Sequence, residues 1–378
     1  MHIAAVESYP VRIPLKADHR MISALGRHDE SKFVVVRVLS DTGLEGAGEA
    51  TATPRWSGET VWGVQAMIDR VLGPALIGME LSAGDPFVSI RAIDARMDAL
   101  AIHNWFAKSA LEMACWDLLG KQAGKPVYEL LGGECRSLVI PSRFSMGAYD
   151  LETAKRRAKE LVAQGFDTVK VKVGGEVNQD IARVRTVHKE IGHERKLVID
   201  ANCGWSAETA IHALHELRDC RVLIMEQPTP DGDYEAIARV RRETGVKVMA
   251  DDMCFNLTHA RELLRNEACD LISVYPGKNG GIRKSREIVE FAARHDIGCT
   301  VGSNLEWDIA TAAMGHLIVA TPNLLVEEYP GDIHGPAYYE FGIAKNPLRV
   351  DGPETEITDR PGLGVDVDWE VVRGNPCS

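Results

Sequence analysis

No stretch of the 378 residues approaches the roughly 18 consecutive apolar positions that a membrane-spanning helix needs. The N-terminal segment has no basic start followed by a long apolar run, so no export signal is expected. The expectation is a soluble, cytoplasmic protein with no membrane partner. Basic charge is also in deficit. With 43 Lys and Arg against 55 Asp and Glu the net charge is −12, which excludes a nucleic-acid binder held by its overall charge. Cys-x-x-Cys pairs are missing, and the eight cysteines (115, 135, 203, 220, 254, 269, 299 and 377) have no His partner at zinc spacing. That pattern reads as reduced thiols rather than a disulfide or zinc framework. What is present is ordinary globular material: 45% hydrophobic and 26% charged residues supply an ample core and exclude wholesale disorder.

The first third reads as α+β. Phe33–Leu39, the turn Ser40-Asp41-Thr42-Gly43 and Leu44–Glu49 carry the signature of a β-hairpin closed by a glycine-bearing turn. Two helical stretches follow. In the second, Ala107–Lys121, the residues Leu111, Ala114, Cys115 and Leu118 recur at helical spacing until Gly124 and Pro126 stop them. Between His19 and His28 a polar stretch with no clear period reads as a mobile loop.

From about residue 138 the texture changes to short β-branched runs separated by amphipathic helices. The runs begin at 138, 168, 196, 222, 247, 271, 298 and 324, between 24 and 30 residues apart. Eight strands at one strand-helix period predict a closed parallel barrel. The rival, an open doubly wound sheet, carries a glycine-rich phosphate turn after its first strand, and none is found here.

Barrel strands are expected to be almost wholly apolar, yet three end in acid. Asp200, Glu226 and Asp251 each close an apolar run on consecutive strands, one period apart. A single acid at such a junction commonly caps the next helix; three in register present three carboxylates to one mouth. Burying them unpaired costs several kcal/mol each, and a hard divalent cation removes that cost. All-oxygen ligation suits Mg²⁺, with Mn²⁺ the second choice. One strand earlier, Lys170 and Lys172 sit two apart and share a face. A nearby cation and a second ammonium favour a neutral amine, the form a general base needs. The alternative, an exposed edge strand with snorkelling lysines, does not suit a closed barrel.

Lys170-x-Lys172, Asp200-Ala201-Asn202, Glu226-Gln227-Pro228, Ala250-Asp251-Asp252 and Lys278-Asn279-Gly280-Gly281 resemble, in order and spacing, the enolase superfamily, and within it the muconate-lactonizing subgroup of the mandelate racemase/muconate lactonizing enzyme group. The helix around Glu112-Met113-Ala114-Cys115-Trp116-Asp117 and the early Gly43-x-x-Gly46-x-Gly48-Glu49 look like the same subgroup. The resemblance implies an α/β fold: a modified TIM barrel, (β/α)₇β, over residues 134–355, an α+β capping domain over 1–133 and a C-terminal segment, 356–378, returning to the cap. It also implies Mg²⁺ on Asp200, Glu226 and Asp251, Lys172 as the acid/base, Lys170 as its support, and a homo-oligomer, dimer or octamer. The chemistry implied is transfer of a proton α to the carboxylate of a small molecule, through an enediolate.

The chain departs from the subgroup at one position. Where a second lysine stands at the end of the sixth strand, this sequence has Tyr275, and the end of the seventh strand, Thr300-Val301-Gly302-Ser303, holds no histidine. Chemistry needing one acid/base therefore leads: cycloisomerisation of an unsaturated diacid, or syn elimination of a β-substituent such as water. A 1,1-proton-transfer epimerase or racemase using Lys172 and Tyr275 is the alternative, and a non-catalytic metal-binding barrel is a third. For the substrate itself, Ser142, Arg143 and Ser145 at the end of the first run offer groups for a second carboxylate, although Arg143 would equally pair with a neighbouring acid. Glu328 closes the eighth run, either at the mouth or as a helix cap. Asn202 and Asp252 flank expected ligands, and Met21 and Trp56 fall where a lid is expected. Trp105 and Trp116 read as core.

Overall fold

The structure, a computed structural model, describes residues 1–377. Strand β1 (Ile3–Pro14) is followed by a short hairpin, β2 (Met21–Ser23) and β3 (Gly26–His28), then by β4 (Glu30–Ser40) and β5 (Glu45–Thr51). The antiparallel order is β1-β4-β5. The expected turn joins β4 to β5, with Gly43 at φ +83° where a side chain would be strained. The stretch expected as a loop between His19 and His28 is instead the β2–β3 hairpin, tied to the barrel by Ala148 N–H donating to the Ile22 carbonyl at 2.7 Å.

Behind this sheet lies the helix Trp105–Ala123, buried at every position from Phe106 to Gly120, with the charged side chains Lys108, Glu112 and Asp117 buried among apolar ones and each given a partner. It approaches β5 so closely that a Cβ at Gly48 would lie 1.8 Å from the Ala110 carbonyl oxygen, and one at Gly46 2.1 Å from that of Ala114. The two glycines are therefore required by packing.

Seven parallel strands form the barrel sheet: β7 (Phe144–Met146), β8 (Thr168–Lys172), β9 (Lys196–Asp200), β10 (Val222–Glu226), β11 (Lys247–Ala250), β12 (Leu271–Val274) and β13 (Gly298–Val301). Six of the eight expected runs lie in it, and the fold class is that expected, a TIM-like half-barrel with a separate α+β domain. Two runs do not. Leu138–Ile140 belongs to β6 (Val139–Pro141), which pairs antiparallel with β15 (Glu354–Glu356), itself paired with β14 (Arg349–Asp351). The first barrel strand is β7. The eighth position is no strand but a segment held by single parallel bridges, Leu324 to Cys299 and Gly331 to Ser142.

Side-chain alternation decides what faces inward. Val198, Ile224, Met249 and Leu271 pack with Tyr329 as a small interior cluster. Two residues on from the first three come Asp200, Glu226 and Asp251, so the same inward face is apolar at the bottom and acidic at the top. Ser273 and Tyr275 continue the face of Leu271.

Carboxylates from the first domain join it to the barrel. Glu49 accepts from Trp307 N–H at 2.6 Å and Ile309 N–H at 3.1 Å, and Glu112 accepts from Ile282 and Arg283 N–H, each at 2.8 Å. Each fills unpaired donors at a helix start. Near the C-terminus, Cys377 N–H donates to the Pro10 carbonyl and the Trp369 indole N–H to Glu45. All eight cysteines are free, and no helix among the described residues is long and apolar enough to cross a membrane.

Candidate active site

A cavity of about 230 Å³ opens over the C-terminal ends of the barrel strands. Its floor includes Lys170, Lys172, Asn202, Asp251, Tyr275 and Asp332; its roof is the β2–β3 hairpin with Thr53–Trp56. Met21 and Trp56, expected at the lid, both line it. Positive φ angles at the non-glycine residues Asn202, Cys203 and Gln227 concentrate backbone strain just past β9 and β10.

The acids and lysines meet as one network. Lys170 Nζ lies 2.5 Å from Glu226 Oε1 and 2.9 Å from Asp200 Oδ2. Lys172 Nζ lies 2.5 Å from Asp200 Oδ2 and 2.7 Å from Asn202 Oδ1. Arg143 Nη2 donates to Glu226 Oε2 at 3.0 Å, and Lys278 Nζ donates to Asp251 Oδ1 at 2.7 Å and to the carbonyls of Asp251 and Ser273. Each of the three acids thus has cationic partners within the protein, where unpaired carboxylates were expected: Lys170 and Lys172 at Asp200, Lys170 and Arg143 at Glu226, and Lys278 at Asp251.

The electrostatics follow. Burial alone would raise the Asp200 carboxyl, but Lys170 and Lys172 outweigh it and hold it below its usual range. Burial would lower Lys170, but Asp200 and Glu226 hold its ammonium above the ordinary lysine value. Glu226 is raised by burial. Asp252 is raised by burial and by Asp251 and Asp200.

Among the described residues no three carboxylate, imidazole or thiol groups stand as a ready ligand cage, since the acids turn to ammonium groups. The donor set nevertheless fits a hard divalent cation. Asp200, Glu226 and Asp251 are buried oxygen donors on adjacent strands, Asp251 lines the cavity, and most of the partners now holding them are side chains, three lysines and Arg143, with Asn202 N–H donating to Asp200 Oδ1 at 2.9 Å.

Tyr275 is fully buried, and its hydroxyl has no hydrogen-bond partner. Its ring stacks on Trp56 at 5.9 Å and 19°, and Lys278 Nζ sits 4.8 Å from its centroid. A Cβ at Gly302 would lie 2.9 Å from the ring, so that glycine makes room for it. Burial, then Asp251 and Glu306, push the phenol well above its usual value.

Three expected substrate groups lie elsewhere. Ser142 Oγ accepts from Ile333 N–H and donates to the Gly331 carbonyl, fixing the eighth segment from outside the cavity. Arg143, 0% exposed, gives its Nη2 to Glu226, leaves Nε and Nη1 unpartnered, and is not among the residues lining the cavity. Glu328 is at the opposite end of the barrel: its carbonyl accepts from Lys196, the first residue of β9, and its side chain is exposed. The acid at the mouth of the eighth segment is Asp332, buried with Oδ1 unpaired. Sequence reasoning passed over Asp332 and Glu306; a count of two residues onward from Pro330 would have found the first. Ser145, singled out with the first run, does line the cavity.

Comparison with known proteins agrees with this geometry. Residues 6–132 match the mandelate racemase / muconate lactonizing enzyme N-terminal domain, and 153–371 the enolase C-terminal domain-like family. A hydrophobic dipeptide epimerase from Enterococcus faecalis is 32% identical over 371 residues, 97% of this chain and 99% of the relative. A crystal structure of the Enterococcus faecalis V583 dipeptide epimerase with Mg and L-Leu-L-Tyr superposes with a TM-score of 0.90 at 30% identity, covering 97% and 100% of the two chains. The 2-chloromuconate cycloisomerase of Rhodococcus opacus 1CP gives 0.94 at 28% identity, covering 100% of both.

Proposed function

Because the chain belongs to the mandelate racemase/muconate lactonizing enzyme group of the enolase superfamily, we propose that it removes a proton α to the carboxylate of a small molecule with Lys172 as its single base and Mg²⁺ as cofactor. It is an enzyme of that superfamily, and the named relatives are isomerases. Asp200, Glu226 and Asp251 would hold the metal, with Mn²⁺ as a substitute. When bound, the metal supplies Lewis-acid stabilisation of the negative charge left as the proton departs, worth several kcal/mol.

The chain's own residues do the rest. Lys172 carries the reading: with 13% of its side chain exposed it is the lysine of the pair with more access to the cavity, against 6% for Lys170. Asn202 and Asp200 aim its head, and with Asp200 holding the metal the Lys172 amine would be left to accept the α-proton. Lys170 stays charged between Asp200 and Glu226 and keeps the two acids from repelling. Trp56 and the hairpin roof exclude water. Tyr275, a wall with a raised phenol, offers no base on the facing side, so the α-proton leaves from one face and is followed by cyclisation or loss of a β-substituent.

The test is exchange of the α-proton in deuterated buffer, run across a panel of carboxylates with Mg²⁺. Exchange disappears in Lys172→Ala while calorimetric Mg²⁺ binding persists; undiminished exchange in that variant assigns the base elsewhere. A second reading, 1,1-proton transfer between Lys172 and Tyr275, is favoured by the epimerase names among the relatives. Assembly as a dimer or octamer belongs to the same proposal, supported by the exposed apolar side chains Trp62, Ile77 and Ile102. So does a cytoplasmic location, supported by eight unpaired cysteines.

A further inference from the structure

One buried acid at the mouth is used by nothing above. Glu306, just past β13, is 1% exposed, and no lysine or arginine pairs with it among the described residues. Ser303 Oγ lies 2.7 Å from its Oε2, and Asn304 N–H donates to both of its oxygens at 3.0 Å. Ser303 Oγ also accepts from Leu305 N–H at 2.9 Å, and Ser303 lines the cavity that Lys172 and Tyr275 line. The titratable groups that act on Glu306 or feel it are acids and phenols: Asp332 from the eighth segment, Tyr275 after β12, Glu49 from β5, and Tyr339. Burial holds its carboxyl up at about 7, against the pull of Ser303 and Asn304 and with help from Asp332.

A serine oxygen has two acceptor positions and one hydrogen. With Glu306 neutral, its O–H and the Leu305 N–H fill both acceptor positions, so the Ser303 hydrogen is free to point into the cavity. With Glu306 ionised, that hydrogen turns back to the carboxylate. The pair therefore donates a proton only while Glu306 holds one. Lys172 ends the second barrel strand and Ser303 follows the seventh, beside Tyr275 after the sixth, so Lys172 and Ser303 line the cavity from different walls.

We propose that Ser303, backed by Glu306, is the proton donor on a different wall from Lys172, and that the substrate is a small carboxylate bearing a β-hydroxyl or similar oxygen leaving group. The inference rests on Lys172 being the base. Lys172 takes the α-proton, and the electron pair of that C–H bond becomes the second bond between the α and β carbons. The bond from the β-carbon to oxygen breaks, its electrons stay on oxygen, and that oxygen takes the Ser303 proton. Ser303 takes the proton of Glu306, water leaves, and the Lys172 ammonium and Glu306 carboxylate return to their starting states by exchange with solvent. A serine with a weak acid behind it gives a proton but does not remove one from carbon. The two walls are therefore unequal, and the elimination is anti rather than syn.

The experiment uses the full-length enzyme with Mg²⁺ and a panel of 3-hydroxy carboxylates, including 3-hydroxy amino acids and sugar acids. Dehydration and α-deuterium exchange are followed by NMR on the same compounds. Ser303→Ala and Glu306→Gln lower dehydration at least about 10²-fold, while exchange stays within about threefold of wild type. Glu306→Asp restores part of the rate. Wild-type turnover falls as pH rises through about 7, where Glu306 loses its proton, and Glu306→Gln removes that limb. Unchanged dehydration in Ser303→Ala, or exchange in the wild type with no loss of hydroxyl from any compound, overturns the proposal. Exchange surviving in Lys172→Ala counts against the base and not against this donor. Infrared difference spectra need no substrate: a protonated-carboxyl band titrating near neutral pH, lost in Glu306→Gln, is expected, and its absence from the wild type overturns the proposal.

Discussion

Two sets of buried carboxylates lie in this molecule, and what satisfies them separates their roles. At the joint between the domains, Glu49, Glu112 and Asp117 accept largely from backbone N–H groups: Trp307 and Ile309, Ile282 and Arg283, Ala47 and Leu363 respectively. At the mouth, Asp200, Glu226 and Asp251 are held largely by the side chains of Lys170, Lys172, Lys278 and Arg143. Backbone donors are fixed by the fold, so an acid they satisfy is a rivet. An ammonium on a flexible four-carbon stem can re-aim when an incoming cation replaces its charge, so an acid it satisfies can exchange partners. Burial is alike in the two sets, but Glu49 and Glu112 are pushed up to about 8 while Asp200 is held below its usual range by its lysines.

The largest effect expected from breaking this contrast is at Lys172. Lys172→Ala lowers proton transfer by roughly 10²–10⁴-fold, read by α-proton exchange, with circular dichroism unchanged. Next is Asp200→Asn, which leaves two ammoniums facing a neutral group. The metal-free protein loses roughly 3–5 kcal/mol by urea unfolding, and Mg²⁺ no longer binds by calorimetry. At the joint, Gly48→Ala forces a methyl against the Ala110 carbonyl and destabilises by about 1–3 kcal/mol, with turnover per folded molecule retained. The smallest is Glu49→Gln. Burial holds the Glu49 carboxyl up at about 8 against an ordinary 4.5, so its share of stability is full below about 4.5 and is lost as pH rises to about 8. The variant flattens that decline in a series of melts across pH; a steeper decline would mean Glu49 is ionised in the fold.

The same contrast explains what the sequence makes legible. The six central barrel strands could be read because each is a short apolar run followed by a helix, and the acids stood out because they break the apolar pattern at a fixed period. The ends of the barrel could not be read that way. β7 is only Phe144-Ser145-Met146, weaker in pattern than the run at 138–140, whose β-branched residues serve an antiparallel pairing with β15 more than two hundred residues away in the chain. The eighth segment closes the barrel by isolated bridges, which leave no periodicity, so the sequence leaves Glu328 open between mouth and helix cap and does not single out Asp332. The lysine partners of the acids were hidden for another reason: the motif spacing shows that Lys278 sits in a turn, not that its ammonium reaches back to Asp251.

Proton transfer from a single face is what sets the proposed chemistry apart from an epimerase. The direct measurement incubates each enantiomer of a turned-over substrate or product analogue in deuterated buffer with Mg²⁺, using the wild type and Tyr275→Phe, and follows label at the α-carbon by NMR. Label entering one enantiomer only, at a rate insensitive to Tyr275→Phe, is the predicted result. Equal entry into both, lost for one of them in Tyr275→Phe, would make Tyr275 a second acid/base and contradict it.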